Sequence, residues 1–238
     1  MEHVIRPIAY IHTDFGSKFG IPRQSGLVPE LEGTIVFEPE YRNPDALRGI
    51  EGFSHLWLLW GFSEGFSSRG EAGTGSWSPT VRPPRLGGNT RMGVFATRSP
   101  NRPNPIGLSV VRLIAVERDP ACGPILKVAG IDMTDGTPVY DIKPYLPFAD
   151  AVPDAVGGYA DALDGDLLSV EDPENLLARL PAEKRDPLVS VLRGDPRPSY
   201  RRTSVEEAER EYGFPYAGYE ITFRVCGDTL TLCGIEKK

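Results

Sequence analysis

The chain is short of the residues that build disulfide frameworks and metal centres. Its three cysteines, Cys122, Cys226 and Cys233, are an odd number without CxxC spacing, which argues against a stapled fold and a structural zinc site. His3, His12 and His55 stand apart with no HxxxH or HExxH pattern, so no metal is expected. No apolar run approaches the ~20 residues of a membrane helix, and Met1-Glu2-His3 does not open a signal peptide. A cytoplasmic protein without membrane association is expected. GxGxxG and strand-helix alternation are also missing, which speaks against a doubly wound nucleotide fold.

One local absence is more informative. Residues 72–116 contain no Asp or Glu, in a chain with a net charge of −7, and carry Arg82, Arg85, Arg91, Arg98, Arg102 and Arg112 without a lysine. Arginine on a Pro/Gly-rich frame suits forked recognition of carboxylate or phosphate. The acidic residues gather instead in residues 29–51 and 150–172. The distribution predicts a local basic face, the electrostatic requirement for an RNA partner, on an acidic protein.

Within that segment Met92 to Ala96 and Leu108 to Leu113 read as strands. The loop between them is stiffened by Pro100, Pro103 and Pro105 and displays Arg98, Asn101, Arg102 and Asn104. A hairpin needs no such loop, so it reads as a preformed polar site. Around it, residues 4–12 read as an edge strand and 13–28 as a binding loop. Residues 33–38 form a strand, and Asn43-Pro44-Asp45 caps a short helix ended by Gly49. Residues 53–62, almost continuously apolar, read as a central strand buried on both faces, with His55 a hydrogen-bonded core residue. Residues 65–78 read as a loop feeding the arginine segment, and 125–131 and 139–142 as further strands. About seven strands with one short helix predict a mainly β fold, an antiparallel barrel or sandwich. The acidic stretch after Pro147 suggests a boundary, giving domains 1–150 and 151–238. The second is a small α+β unit with helices capped by Asp172-Pro173-Glu174 and Asp186-Pro187 and a hairpin across Cys226-Gly227-Asp228.

The run Thr80-Val81-Arg82-Pro83-Pro84-Arg85-Leu86-Gly87-Gly88-Asn89, continuing through Gly93-Val94-Phe95-Ala96-Thr97-Arg98-Ser99 and Arg102-Pro103-Asn104-Pro105-Ile106-Gly107, resembles the TrmO (TsaA-like) family. Pro22-Arg23-Gln24, Ser54-His55-Leu56-Trp57, Asp135-Gly136-Thr137-Pro138, Asp141-Ile142-Lys143-Pro144-Tyr145 and Asp195-Pro196-Arg197-Pro198-Ser199-Tyr200 follow in the family's order across nearly the whole chain. The resemblance implies a single-sheet antiparallel β-barrel and a homodimer. The implied activity is S-adenosylmethionine-dependent methylation of N6 of threonylcarbamoyladenosine beside the anticodon of tRNA. It also implies that the methyl donor is held by Pro22, Arg23, Gln24, Ser63, Glu64, Arg98, Leu108, Asp132, Met133, Thr134 and Asp135. Ser63-Glu64 departs from the family's usual histidine and amide pair.

Methyl transfer from a sulfonium is an in-line displacement that asks a protein to position two atoms and remove a proton. Asp135 is the first candidate to accept that proton or to hold the donor's amino group. By family position, Asn104, Lys143 and Tyr145 orient the acceptor. The alternative for Lys143 and Tyr145 is a snorkelling lysine and a core tyrosine, and for Asp132 and Asp135 a turn-closing role. Arg82, Arg85, Arg102, Arg197, Arg201 and Arg202 are expected at RNA phosphates. A non-catalytic RNA- or small-molecule-binding barrel and a methyltransferase with a non-tRNA substrate are the competing readings.

Overall fold

The structure, a computed structural model, describes residues 4–62, 78–83, 86, 89–163, 167–197 and 210–238. Its strands in the first part of the chain are β1 (Ala9–Thr13), β2 (Glu32–Phe37), β3 (His55–Gly61), β4 (Thr80–Val81), β5 (Met92–Gly93), β6 (Ile106–Asp119), β7 (Gly123–Ala129) and β8 (Thr137–Pro144). Six of them close an antiparallel barrel in the order β1-β2-β7-β6-β3-β8, while β4 and β5 pair outside it. The mainly β barrel is therefore as expected. Closure fills the interior with alternate side chains, Ala9 and Ile11, Ile35 and Phe37, Leu56 and Leu58, Leu126 and Val128.

Antiparallel closure decides what lies at each end. β1, β3 and β7 finish at the rim where β2, β6 and β8 start. That rim receives the connections 14–31, 62–105 and 130–136, and the other rim receives 38–54, 120–122 and the exit of β8. β7 and β8 stand opposite each other in the ring. Their connection must cross the barrel mouth, and Ile131 and Met133, each 1% exposed, plug it.

Several local expectations are corrected. The segment predicted as buried on both faces alternates instead, with Leu56, Leu58 and Trp60 buried and His55, Trp57 and Leu59 half-buried, because a barrel has one interior. His55 accordingly lies on the outer face and not in the core. The strand expected at 92–96 stops at Gly93, and Val94–Ala96 turns as a 3-10 helix that buries Val94 and leaves Phe95 72% exposed. The first strand starts at Ala9, beyond Pro7, whose missing N–H cannot join a ladder. The Asn43 cap is present, its side chain accepting from Asp45 N at 3.0 Å, but it opens a single 3-10 turn, Pro44–Leu47.

After a short helix α1 (Pro147–Asp150), the second part forms the sheet β10-β11-β12-β9 from β9 (Ser169–Glu171), β10 (Tyr212–Tyr216), β11 (Tyr219–Cys226) and β12 (Thr229–Lys237). The hairpin β11-β12 was expected; β9, parallel to β12, and β10 were not. Asp172 caps the 3-10 turn Leu176–Arg179, accepting from Leu176 N at 2.7 Å and Leu177 N at 2.9 Å. Helix α2 (Ala182–Arg193) starts after Pro181 and runs through Pro187. Asp186-Pro187 is thus interior, not a start. Burial of Pro187, Leu188, Val191 and Leu192 holds the helix despite the lost bond.

The second sheet docks on the connection 14–31. Lys184 Nζ meets Asp14 Oδ2 at 2.5 Å, Ala217 N donates to Asp14 O at 2.9 Å, and Phe15 packs on Tyr216 with centroids 5.3 Å apart. Phe15 and Tyr216 are fully buried, and burial raises the tyrosine hydroxyl's pKa.

Gly107 faces Trp60 across β3 and β6, and the indole occupies the space where a Cβ would stand. Gly107→Ala is expected to cost about 1–3 kcal/mol in denaturant unfolding, with a changed near-ultraviolet signal from Trp60. Wild-type stability would show that the indole can move aside freely.

Candidate functional site

A polar chain starts inside the barrel and ends at the rim that the three connections share. Trp60 Nε1 donates to Ser109 Oγ at 2.9 Å, and Ser109 Oγ donates to Asp132 Oδ1 at 2.7 Å. Ser109 is 1% exposed, so Asp132 is gripped from within. Burial is the largest influence on Asp132 and raises its pKa; the Ser109 hydroxyl, the Ser25 amide and the nearby Arg98 guanidinium pull the other way.

Ser25 and Arg98 come from two different connections. Ser25 Oγ accepts from Val110 N at 3.1 Å, tying 14–31 to β6. Gly26 N donates to Gly130 O at 2.9 Å and Gly130 N to Leu31 O at 2.8 Å, tying it to the crossing loop. Arg98 reaches over from the proline-stiffened loop and donates to Gln24 Oε1, while Gln24 Nε2 donates to the Arg23 carbonyl. Thus Gln24, Arg98 and Asp132, far apart in sequence, share one place. Pro22 and Arg23 adjoin it half-buried, and Arg23 Nη2 donates to Arg197 O at 3.4 Å, reaching the second sheet. Leu108, 54% exposed, lies on the outer face of β6 at the same rim, with Asn104 exposed just before it.

Asp135 belongs to the same crossing loop but faces β1, opposite β6 in the ring. Its Oδ1 accepts from Thr13 N at 3.1 Å and lies 3.1 Å from His12 Nδ1, with about half of each side chain exposed. His12 was not singled out as a site residue. Strand register alone, Ile11 opposite Thr137, brings it to the turn. Met133 turns into the core, so its side chain is not available to a ligand, and its carbonyl accepts from Thr13 Oγ1 at 3.2 Å. Thr134 closes the turn, its carbonyl accepting from Thr137 Oγ1 at 2.8 Å.

Lys143 and Tyr145 lie elsewhere. β8 starts at the Asp132 rim and carries Lys143 six residues along, a distance of about 20 Å at strand rise. Lys143 Nζ pairs with Asp141 Oδ2 at 2.7 Å, and Tyr145 neighbours His55 and Trp57. Ser63, Glu64, Arg85, Arg201, Arg202 and the loop expected at 65–78 fall outside the described residues, apart from Ser78.

Two expected RNA arginines have other occupations. Arg197 is 8% exposed and bonds Asp195 through Nε at 2.9 Å and Nη2 at 3.1 Å, a buried pair that a phosphate would have to break. Arg102 is half-buried and donates to the carbonyls of Thr97 at 3.0 Å and Ser99 at 3.4 Å, holding the shape of its own loop. Arg82 and Arg98 are exposed.

The arrangement offers a guanidinium and a desolvated carboxylate side by side at a barrel mouth, a donor and acceptor set matched to the two charges of an amino-acid group. The family model of the tRNA-methyltransferase O N-terminal domain matches residues 10–151, and that of the TrmO C-terminal domain matches residues 170–238. The chain is 43% identical to the tRNA (adenine(37)-N6)-methyltransferase of Escherichia coli K12, over 97% of each protein. It is 45% identical to the protein of the same name from Eikenella corrodens, over 73% of this chain and 91% of that one. A crystal structure of TrmO from Pseudomonas aeruginosa superposes with a TM-score of 0.76 at 35% identity, covering 100% of this chain and 98% of that chain.

Because the folded protein raises the pKa of Asp132, the stability this group contributes is full at acidic pH and is lost as pH rises through the raised value. Asp132→Asn, which keeps an acceptor for Ser109, is expected to raise the unfolding free energy of the ligand-free protein at neutral pH. The gain should vanish below about pH 4. A variant less stable than wild type at neutral pH would show that the charged carboxylate is stabilising there.

Proposed function

The chain belongs to the TrmO family, and from that premise we propose that it transfers a methyl group from S-adenosylmethionine to N6 of threonylcarbamoyladenosine at tRNA position 37. The observation that carries this reading is the convergence of Gln24, Arg98 and Asp132 on one rim. Arg98 suits the donor's carboxylate and Asp132 its ammonium, with Pro22, Arg23 and Gln24 along one side and Leu108 offering an apolar surface to the adenine. Ser63, Glu64, Thr134 and the backbone at Met133 complete the donor site in this reading.

When bound, the donor supplies a methyl on a cationic sulfur. The acceptor nitrogen forms the new N–C bond as the S–C bond breaks, and the N6 proton must leave. Carbamoylation acidifies that proton, so a modest base suffices. Asp135 takes this role, held by Thr13 N–H with His12 alongside. Asn104, at the head of β6, and Lys143 and Tyr145 orient the acceptor.

Lys143 and Tyr145 stand about 20 Å down β8 from the donor rim, which favours a homodimer in which one protomer's lower rim faces its partner's donor site. Ile106 and Ile114, exposed along one strand, supply apolar surface for such a contact. The barrel, 1–150, carries the chemistry and 151–238 supports tRNA binding, with Arg82, Arg85, Arg201 and Arg202 assigned to phosphates. The setting is cytoplasmic.

Purified protein is expected to add one methyl to tRNA bearing threonylcarbamoyladenosine and to leave unmodified transcripts alone; equal rates on both would sink the substrate, and no transfer to either the reaction. Arg98→Ala should weaken S-adenosylmethionine binding by about 1.5–3 kcal/mol in calorimetry. Asp135→Asn should lower kcat by roughly 10² to 10⁴, whereas a change confined to KM would make Asp135 a binding residue. Light scattering should report a dimer; a fully active monomer at micromolar concentration would refute it.

A further inference from the structure

At the lower rim, where β3 starts and β8 ends, three rings stand in a row on the outer face. His55 and Tyr145 have centroids 6.3 Å apart, edge to face, and Tyr145 and Trp57 are 5.8 Å apart. All three rings are half-buried. The two end rings are held from outside the row, and the backbone of Tyr145 is tied to that of His55. Ser54 Oγ lies 2.9 Å from His55 Nδ1, Trp57 Nε1 donates to Asp150 Oδ2 at 2.9 Å, and Tyr145 N donates to His55 O at 3.0 Å. Asp150 also accepts from Leu146 N at 2.8 Å, and these bonds hold its carboxyl below the usual range. Asp150 sits on α1, which also carries Phe148, 88% exposed.

Cations flank the row. In register, Trp57 pairs with Lys143 and His55 with Arg112, both exposed, with Asp141 as the carboxylate beside Lys143. A core would bury these rings, and a structural rim would not need them held at both ends. Planar faces with exposed cations beside them, Lys143 and Arg112 set against the carboxylates of Asp141 and Asp150, suit an unpaired base with its backbone phosphate. We propose that the His55-Tyr145-Trp57 row is the seat of an unpaired nucleobase of the RNA substrate, with Lys143 directed to the adjoining phosphate. The inference rests on the proposed tRNA substrate and gives His55 the role of a stacking surface.

The test uses the full-length protein and an anticodon stem-loop carrying threonylcarbamoyladenosine, titrated at several salt concentrations. His55→Leu and Tyr145→Leu should each weaken binding about tenfold at every salt concentration without changing the logarithmic salt slope, since stacking releases no counterions. His55→Phe and Tyr145→Phe should restore most of the affinity, and Lys143→Ala should reduce the slope by about one. Leucine variants that bind like wild type, or losses that phenylalanine does not rescue, overturn the proposal. Wild-type protein gives a readout that needs no folded variant: 2-aminopurine placed in turn at each unpaired loop position should be quenched at one or more of them. Fluorescence unchanged at all positions overturns the seat. Methyl transfer by wild type is scored separately. A protein that transfers no methyl but shows the stacking pattern keeps the seat and loses the reaction, and the converse result loses the seat alone.

Discussion

The crossing of the barrel mouth by residues 130–136 is the constraint on which the upper rim depends. β7 and β8 are consecutive in sequence and opposite in the ring, so seven residues must span the interior and still satisfy their own backbone groups. They do so by borrowing partners from β1 and the connection after it: Gly130 from Leu31 and Gly26, Asp135 from Phe15, Gly136 from Ile11. Gly130 and Gly136 take φ of +78° and +72°, the left-handed region where a side chain would be strained, and these angles turn the chain over the mouth and back. Ile131 and Met133 point down into the core, leaving Asp132 and Asp135 as the loop's two acidic side chains toward opposite walls. The plug and the polar site are therefore one element, and neither can shift alone.

That coupling reaches further down through Trp60. Its indole lies over Gly107 and donates to Ser109, which donates to Asp132, so core packing fixes the direction of a rim carboxylate. A hydroxyl between two such partners has one donor and accepts one, which leaves it little freedom to reorient. The desolvation that raises the carboxylate's pKa is the cost of this placement. It is offset when a cation arrives beside it, which is why a buried acid at a mouth binds an ammonium better than an exposed one would.

Period and punctuation made the barrel legible. Loose alternation over 4–12 and the short apolar, β-branched runs at 33–38 and 125–131 carry the strand signal whatever the topology, and the proline loop at 100–105 marks itself by excluding helix. What failed has physical reasons. The run 55–61 is apolar on both faces, so sequence could not say that half of it faces outward until closure defined an inside. Asp186-Pro187 imitates a helix start, and tertiary burial of Leu188, Val191 and Leu192 overrode it. Arg197 stands beside prolines with Asp195 as its one near acidic neighbour in sequence, and only the fold shows that this carboxylate turns back to pair with it. The motif residues of the donor rim were named by resemblance. The partners that connect them, Ser25, Ser109 and His12, carry no sequence signal, since a serine or histidine shows its role only when a second strand arrives.

The occupied arginines also bear on how an acidic chain could hold RNA. With Arg197 buried against Asp195 and Arg102 bracing its own loop, fewer cations are free for phosphates than the run of arginines promises. Counterion release scales with the number of phosphates neutralised, so its share of the affinity falls accordingly. Recognition must then draw more on contacts that do not depend on net charge. Among the described residues the lower rim offers such contacts in the three rings at its edge. Within the proposed function, selectivity then falls to the flat bases of the RNA, and the overall acidity works in the same direction by discouraging any RNA that brings phosphates alone.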